Sequence, residues 1–214
     1  MGNLVTGKVR FSYANVFEPR RTPNGEEKYS IMLLIPKSDT DTYQRIMTEI
    51  NKTLQENLAD TFKGVMPTNL KTPIHDGDGV RQSGEPYGAE CKGCWVITAN
   101  SNNEPEVVDA NCNPIISKNE FYSGCYGRAS LRFYAYNQNG NRGIGCGLGN
   151  VQKLEDGQPL GGRTTASEDF GAPIQPTVAQ PVTAPVYQQP AAPQIDPITG
   201  MPIQPTVNNI FRVN

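Results

Sequence analysis

The stretch FYSGCYGRASLRFYAYNQNGNRGIGCGLGN, residues 121–150, decides the fold. Asn139-Gly140 is its strongest turn signal, because both central positions of a type I′ hairpin turn need positive φ. With those two residues at the turn, Ala135 faces Ile144, Phe133 faces Cys146 and Leu131 faces Leu148. All six are apolar and form the core side of the hairpin. Side chains alternate along a strand, so the other side pairs Tyr136 with Gly143, Tyr134 with Gly145, Arg132 with Gly147 and Ser130 with Gly149. Arg128 extends the same row. An aromatic ring can cover the backbone that a facing glycine leaves bare, and this accounts for the tyrosines but not for the two arginines. A surface for single-stranded nucleic acid uses both types: stacking is worth about 1–3 kcal/mol per base, and arginines follow the phosphates. The glycines themselves recur at a strand period, not at the spacing of a phosphate-binding turn.

Working outward, the region before this hairpin also reads mainly as strands. Residues 8–13 alternate, with Val9, Phe11 and Tyr13 on one side and Lys8, Arg10 and Ser12 on the other. Residues 29–35 are a nearly continuous apolar run that suits a central strand, and Pro23-Asn24-Gly25 marks the turn between the two. Residues 94–99 and 107–108 are further strands. From Ser38 to Leu58 the period changes to 3.6, with Tyr43, Ile46, Met47, Ile50, Leu54 and Leu58 in one stripe and Ser38 as the expected N-cap. Residues 60–90 are loop-like, and Asp76 and Asp78 within them read as a solvated turn, since a calcium loop needs ligands that Val80 and Arg81 do not supply.

The five cysteines are an odd number, which argues against a disulfide framework. Cys91 and Cys94 have zinc spacing, but no second pair of that kind follows and His75 is the single histidine. Small buried thiols in strands are the expectation, with a site from Cys91, Cys94, Cys112 and Cys125 left open; no metal or cofactor is expected. Net charge is −2, so any nucleic-acid binding requires the basic residues to be gathered on one face. No run of about 18 uncharged apolar residues predicts a membrane span, and the start lacks the features of a signal peptide, so the expected location is cytoplasmic. The start also fits the short myristoylation pattern at Gly2 and Thr6, read as coincidence. There is no metalloprotease motif, nucleophile elbow or carboxylate set with a shared-metal spacing, so an enzyme is not expected.

Composition changes near residue 163. The last 52 residues hold nine of the 18 prolines and few charges, a segment that cannot bury enough apolar area to order itself. The expected division is a domain over 1–162 and a Pro/Gln-rich disordered tail over 163–214, whose tip at Ile210-Phe211 is a candidate docking point.

Taken together, the runs LKTPIHDGDG at 70–79, FYSGCYGRASLRFYAYNQNGNRGIGCGLGNVQKLEDGQPLGG at 121–162 and SEDF at 167–170 resemble the tailed-phage single-stranded DNA-binding protein family with an OB fold. GKVRFSYANVFEP at 7–19 and KYSIMLLIPKSD at 28–39 resemble its opening strands and helix entry. The resemblance spans residues 5–170 and leaves out the proline-rich tail. It implies a five-stranded OB-type barrel with loop insertions and one helix across an opening. It further implies sequence-tolerant coating of single strands during phage replication or recombination in the infected host cell. On the residue pattern, Arg10, Lys71, Lys92, Arg128 and Arg132 are the candidates for phosphates, and Trp95, Tyr122, Tyr134 and Tyr136 those for stacking. Replication or recombination proteins are the expected partners of the tail. Two other readings remain: a virion or scaffold assembly protein, and a mediator that anneals strands as well as coating them.

Overall fold

The computed structural model describes residues 3–22, 25–138 and 140–161. The readings made for Gly2, Pro23-Asn24, Asn139 and the tail from residue 163 lie outside these.

The hairpin forms from two long strands, β7 (Tyr126–Gln138) and β8 (Asn141–Glu155). Gln138 pairs with Asn141 across a two-residue loop in which Gly140 has φ 79°. The expected register holds from Tyr136↔Gly143 down to Leu131↔Leu148. Below that point it slips: Ala129 faces Val151 and Arg128 faces Gln152, so Ser130 and Gly149 do not pair as expected. The extra residue sits on β8, and the Ser130 hydroxyl accepts the Asn150 N–H at 2.8 Å. This bulge turns Val151 inward beside Ala129, while Gln152 stays on the outward side with Arg128 and is buried because its side-chain amide donates to the Asp109 and Ala110 carbonyls.

Three more strands complete a closed circuit: β2 (Val9–Arg21), β3 (Glu27–Pro36) and β5 (Cys94–Ser101). β2 pairs antiparallel with β3 and β3 with β5, while β5 meets β8 in parallel at Asn100↔Gly147. β7 returns to β2 through Val9↔Gly127 and Arg10↔Tyr126. The circuit β2–β3–β5–β8–β7 is the OB-type barrel. Short strands extend it: β1 (Leu4–Val5) lies beside β7, β4 (Ile74–Asp76) beside β5 and β6 (Val107–Val108) beside β8.

The barrel interior is filled by the alternate apolar residues the sequence marks: Val9 and Phe11, Ile31, Leu33 and Ile35, Ile97 and Ala99, Leu131 and Phe133, Ile144 and Cys146. β3 is apolar on both faces because its outward Leu34 is also covered, forming a second cluster with Cys91 and Val96 that Tyr87 packs against.

Tyr13 departs from the expected alternation. β2 pairs regularly with β3 up to Ser12↔Met32 and resumes at Asn15↔Ser30, with a bulge between. Ser12 is buried, whereas Tyr13 stands 49% exposed at φ 46°. A left-handed conformation is strained for a bulky residue, at about 1–3 kcal/mol. The Asn15 side-chain amide donates to the Tyr13 carbonyl, and the Ser123 hydroxyl accepts the Ala14 N–H, which together hold the distorted turn.

The one α-helix among the described residues, α1 (Thr40–Glu56), closes an end of the barrel. Ile46, Ile50 and Leu54 are buried and Tyr43, Met47 and Leu58 are accounted for by helix packing or partial burial against the core, so the expected stripe is the packed face, with Tyr43 stacked on Trp95. The N-cap is Asp39, one residue later than the expected Ser38, because its carboxylate accepts the Thr42 N–H at 3.0 Å. The Thr42 hydroxyl in turn accepts the Gly7 N–H, linking the helix to the chain entering β2.

Leu131, 1% exposed at the middle of the hairpin, should lose about 2–5 kcal/mol of stability on truncation to alanine. Asp39→Ala should lose about 1 kcal/mol. Urea unfolding followed by circular dichroism measures both.

Candidate nucleic-acid interface

The outward side of the barrel carries a row of paired residues that crosses all five strands. Asn15 pairs with Ser30, Ser30 with Asn100, Asn100 with Gly147 and Gly147 with Arg132. Paired residues point to the same side of a sheet, so these five positions share one surface across four strand spacings, about 19 Å. Gly147 at the β5–β8 junction leaves no side chain to interrupt it.

At one end of the row, Tyr134 lies across Gly145 and Tyr136 across Gly143. A Cβ at Gly143 would come within 2.6 Å of the Tyr136 hydroxyl, and one at Gly145 would collide with the Tyr134 ring. Each ring therefore rests on a glycine. Tyr134 remains 44% exposed, so it both covers backbone and presents itself to solvent; Tyr136 is more enclosed, and burial raises its phenol above the ordinary tyrosine range. Arg132 stands exposed beside them and makes no ion pair among the described residues.

At the other end lies a groove of ≈ 670 Å³ over the outer surfaces of β2, β3 and β5. Tyr13, Arg20, Arg21, Lys28, Thr98 and Asn100 line it, together with Arg81 from the loop after β4. Lys28 is partly neutralised by Glu26 at 2.7 Å, while Arg20 and Arg21 form no ion pair among the described residues. In OB folds this surface of the second and third barrel strands, with the adjoining loops, is the usual seat of oligonucleotides. Sequence reasoning missed these residues. The available signal was in residues 9–17: Val9 and Phe11 share one parity and Val16 the other, which marks a one-residue insertion and turns Tyr13 outward.

The nine residues singled out from sequence separate into two groups. Arg132, Tyr134 and Tyr136 come together, and Lys71 joins them: its backbone bridges Gly143, and its ammonium donates to the Asn141 side chain at 2.9 Å. Arg128 is on the same side of β7 but lies at the bulge, where its Nε donates to Gln152 at 2.6 Å. The rest are engaged elsewhere. Arg10 donates to the Gly124 and Gln158 carbonyls and lies over the Tyr126 ring, tying the end of the domain to β2. The Tyr122 hydroxyl bonds Asp156 and Gly157, with Lys153 over its ring. Trp95 shares the inward side of β5 with Ile97 and Ala99, and stacks on Tyr43 of α1 at 4.6 Å between centroids. Lys37 caps that stack from 5.1 Å and pairs with Asp76 and Asp78, each at 2.6 Å; these bonds raise the lysine and lower both carboxyls. Lys92 follows the short 3₁₀ turn Ala89–Cys91, next to the Gly93 N–H that Asp78 accepts.

Among the described residues no three His, Cys, Asp or Glu side chains converge in a metal-binding arrangement. Cys91 lies in the cluster around Leu34, Cys125 in the main core and Cys112 at the surface. No helix is long and apolar enough to cross a membrane among the described residues.

Comparison with known proteins bears on this geometry. The profile of a family described as the ssDNA-binding protein of Enterobacter phage Enc34 matches residues 2–180. The chain belongs to that family. The match reaches residue 180, so it includes the beginning of the segment that the sequence resemblance left out. Protein p50 of Acyrthosiphon pisum secondary endosymbiont phage 1 is 30% identical over 170 residues, covering 76% of this chain and 89% of p50. Among solved structures, the single-stranded DNA-binding protein of bacteriophage Enc34 in complex with ssDNA matches with a TM-score of 0.61 and 29% identity, over 75% of this chain and 90% of that one. The bacteriophage T7 protein gp2.5 matches with a TM-score of 0.55 at 12% identity, over 77% and 98% of the two chains, a likeness of fold.

The cysteines give a direct check on the packing. Burial pushes the Cys146 thiol up to about 12 and the Cys91 thiol to about 11, and it also raises Cys94 and Cys125. A thiol reagent at pH 8 should therefore label one cysteine rapidly in the folded protein, and Cys112→Ser should remove that fast phase.

Proposed function

We propose that this chain coats single-stranded DNA without strong sequence preference, with the strand lying on the outward face from the β2–β3–β5 groove to the tyrosines of β7. The observation that carries the reading is the uninterrupted row from Asn15 to Arg132, which joins a basic groove to an open aromatic ring. Membership of a phage ssDNA-binding family supports it.

In this reading Arg20, Arg21, Lys28 and Arg132 meet phosphates, and Tyr13 and Tyr134 stack with bases. Lys71, Arg128 and Tyr136 border that path. Hydrogen-bond readout of base edges is not required, because every base has a face to stack. The protein acts by occupancy and changes no covalent bond, hindering reannealing and nuclease access while phage DNA is replicated or recombined in the host cytoplasm. The segment beyond residue 162 is the arm through which other replication or recombination proteins are recruited.

Fluorescence anisotropy with a labelled thirty-base single strand tests the proposal, with the matching duplex as competitor. Single strands should bind and the duplex should compete poorly. Four phosphate contacts give a log K against log salt slope of about −3. Tyr134→Ala should lose about 1–3 kcal/mol of binding energy, roughly five- to 150-fold in affinity. Arg132→Ala should flatten the salt slope by about 0.7. Absence of salt-sensitive binding by the folded protein would refute the reading.

A further inference from the structure

Residues 80–86 make a small hairpin of their own in the insertion between β4 and β5. Val80 bridges Pro86, the Arg81 N–H donates to the Glu85 carbonyl at 2.7 Å, and the Gly84 N–H donates back to the Arg81 carbonyl at 2.9 Å with Gly84 at φ 86°. The unit is seated on the outer cluster: the Arg81 guanidinium carbon lies 5.2 Å from the centre of the Tyr87 ring, and Tyr87 packs against the cluster of Leu34, Cys91 and Val96. Its position is thus fixed by stacking rather than by a carboxylate.

Two further observations make Arg81 more than a packing residue. Its Nε is buried and has no hydrogen-bond partner among the described residues. That nitrogen is closed off from solvent, but the guanidinium as a whole forms no ion pair among the described residues, so its charge is left for an acceptor that enters the cavities it lines. Arg81 also lines two cavities at once: the β2–β3–β5 groove, and a second of ≈ 470 Å³ bounded by Asn69, Lys71, Thr72, His75 and Gln82. Lys71 lines that second cavity too, and its backbone pairs with Gly143 beneath Tyr136.

We propose that Arg81 is a phosphate-binding residue at the junction of these cavities, where a single strand leaves the groove and turns toward Lys71 and the tyrosines. This rests on the single-strand reading above. It adds a second branch of the path, running along the insertion beside β4, to the direct row across the barrel. A phosphodiester oxygen fits the site because it accepts from a guanidinium edge, whereas a base edge would have to displace the Tyr87 stack.

The test compares wild-type protein, Arg81→Gln and Arg81→Lys binding to an eighteen-base thymidine oligonucleotide across a salt series. Arg81→Gln is expected to bind about tenfold more weakly and with a slope flatter by about 0.7, the share of one phosphate contact. Arg81→Lys should keep the slope but lose affinity several-fold, because an ammonium keeps the charge and loses the planar fork. Phenylglyoxal modification of the unaltered protein, mapped by mass spectrometry, needs no variant: the bound oligonucleotide should protect Arg81. Unchanged affinity and slope in Arg81→Gln, or equal Arg81 modification with and without oligonucleotide, overturns this assignment while leaving the single-strand reading intact. Failure of the wild-type protein to bind the oligonucleotide overturns both.

Discussion

β7 is hydrogen-bonded along both of its edges. β8 takes one edge over almost its whole length, and β1 and β2 pair with the other from Tyr126 to Leu131. Were the second edge unpaired, the hairpin and the β2–β3–β5 meander would each present open backbone groups to solvent, a liability for any sheet. The closure passes through Gly127, where a Cβ would collide with the Gln152 carbonyl and meet the Phe11 ring at 2.7 Å. No larger residue fits where β7 crosses from β8 to β2. The interior packing, the placement of α1 over one end and the alignment of outward residues across five strands all depend on this circuit.

Closure also explains why glycine and tyrosine alternate as they do on the hairpin. Cys146 and Ile144 point inward and fill the core, which leaves Gly143, Gly145 and Gly147 as the outward residues of β8. The tyrosines of β7 cover two of these glycines, and the third is the junction with β5. Covering backbone and presenting an aromatic surface are therefore the same arrangement seen from its two sides.

Much of this was legible from residue patterns. The hairpin register followed from one turn dipeptide and strict alternation, and the helix from its 3.6-residue stripe, because both signals are local. The groove was not legible, since it assembles residues from β2, β3, β5 and a distant loop that only the closed sheet brings together. Trp95 was singled out as an aromatic on a strand, a signal that does not show what covers it; here α1 does, through Tyr43. Arg10 and Tyr122 were residue types suited to nucleic acid, but their partners are carbonyls and a carboxylate far along the chain, at Gly124, Gln158, Asp156 and Gly157. Tyr13 was concealed by a single inserted residue, which reverses every side chain after it.

That inserted residue has a wider consequence. The strained turn at Tyr13 is held by hydrogen bonds from Asn15 and to Ser123, so the ring projects from a backbone that is already fixed before any ligand arrives. Tyr134, resting on Gly145, is similarly supported. A face set in advance gives up little conformational freedom on binding, and the ordering cost falls on the nucleic acid instead. Differences among sequences then arise from how readily each stretch of DNA surrenders its own base stacking, a preference written in the mechanics of the strand rather than in the chemistry of the protein.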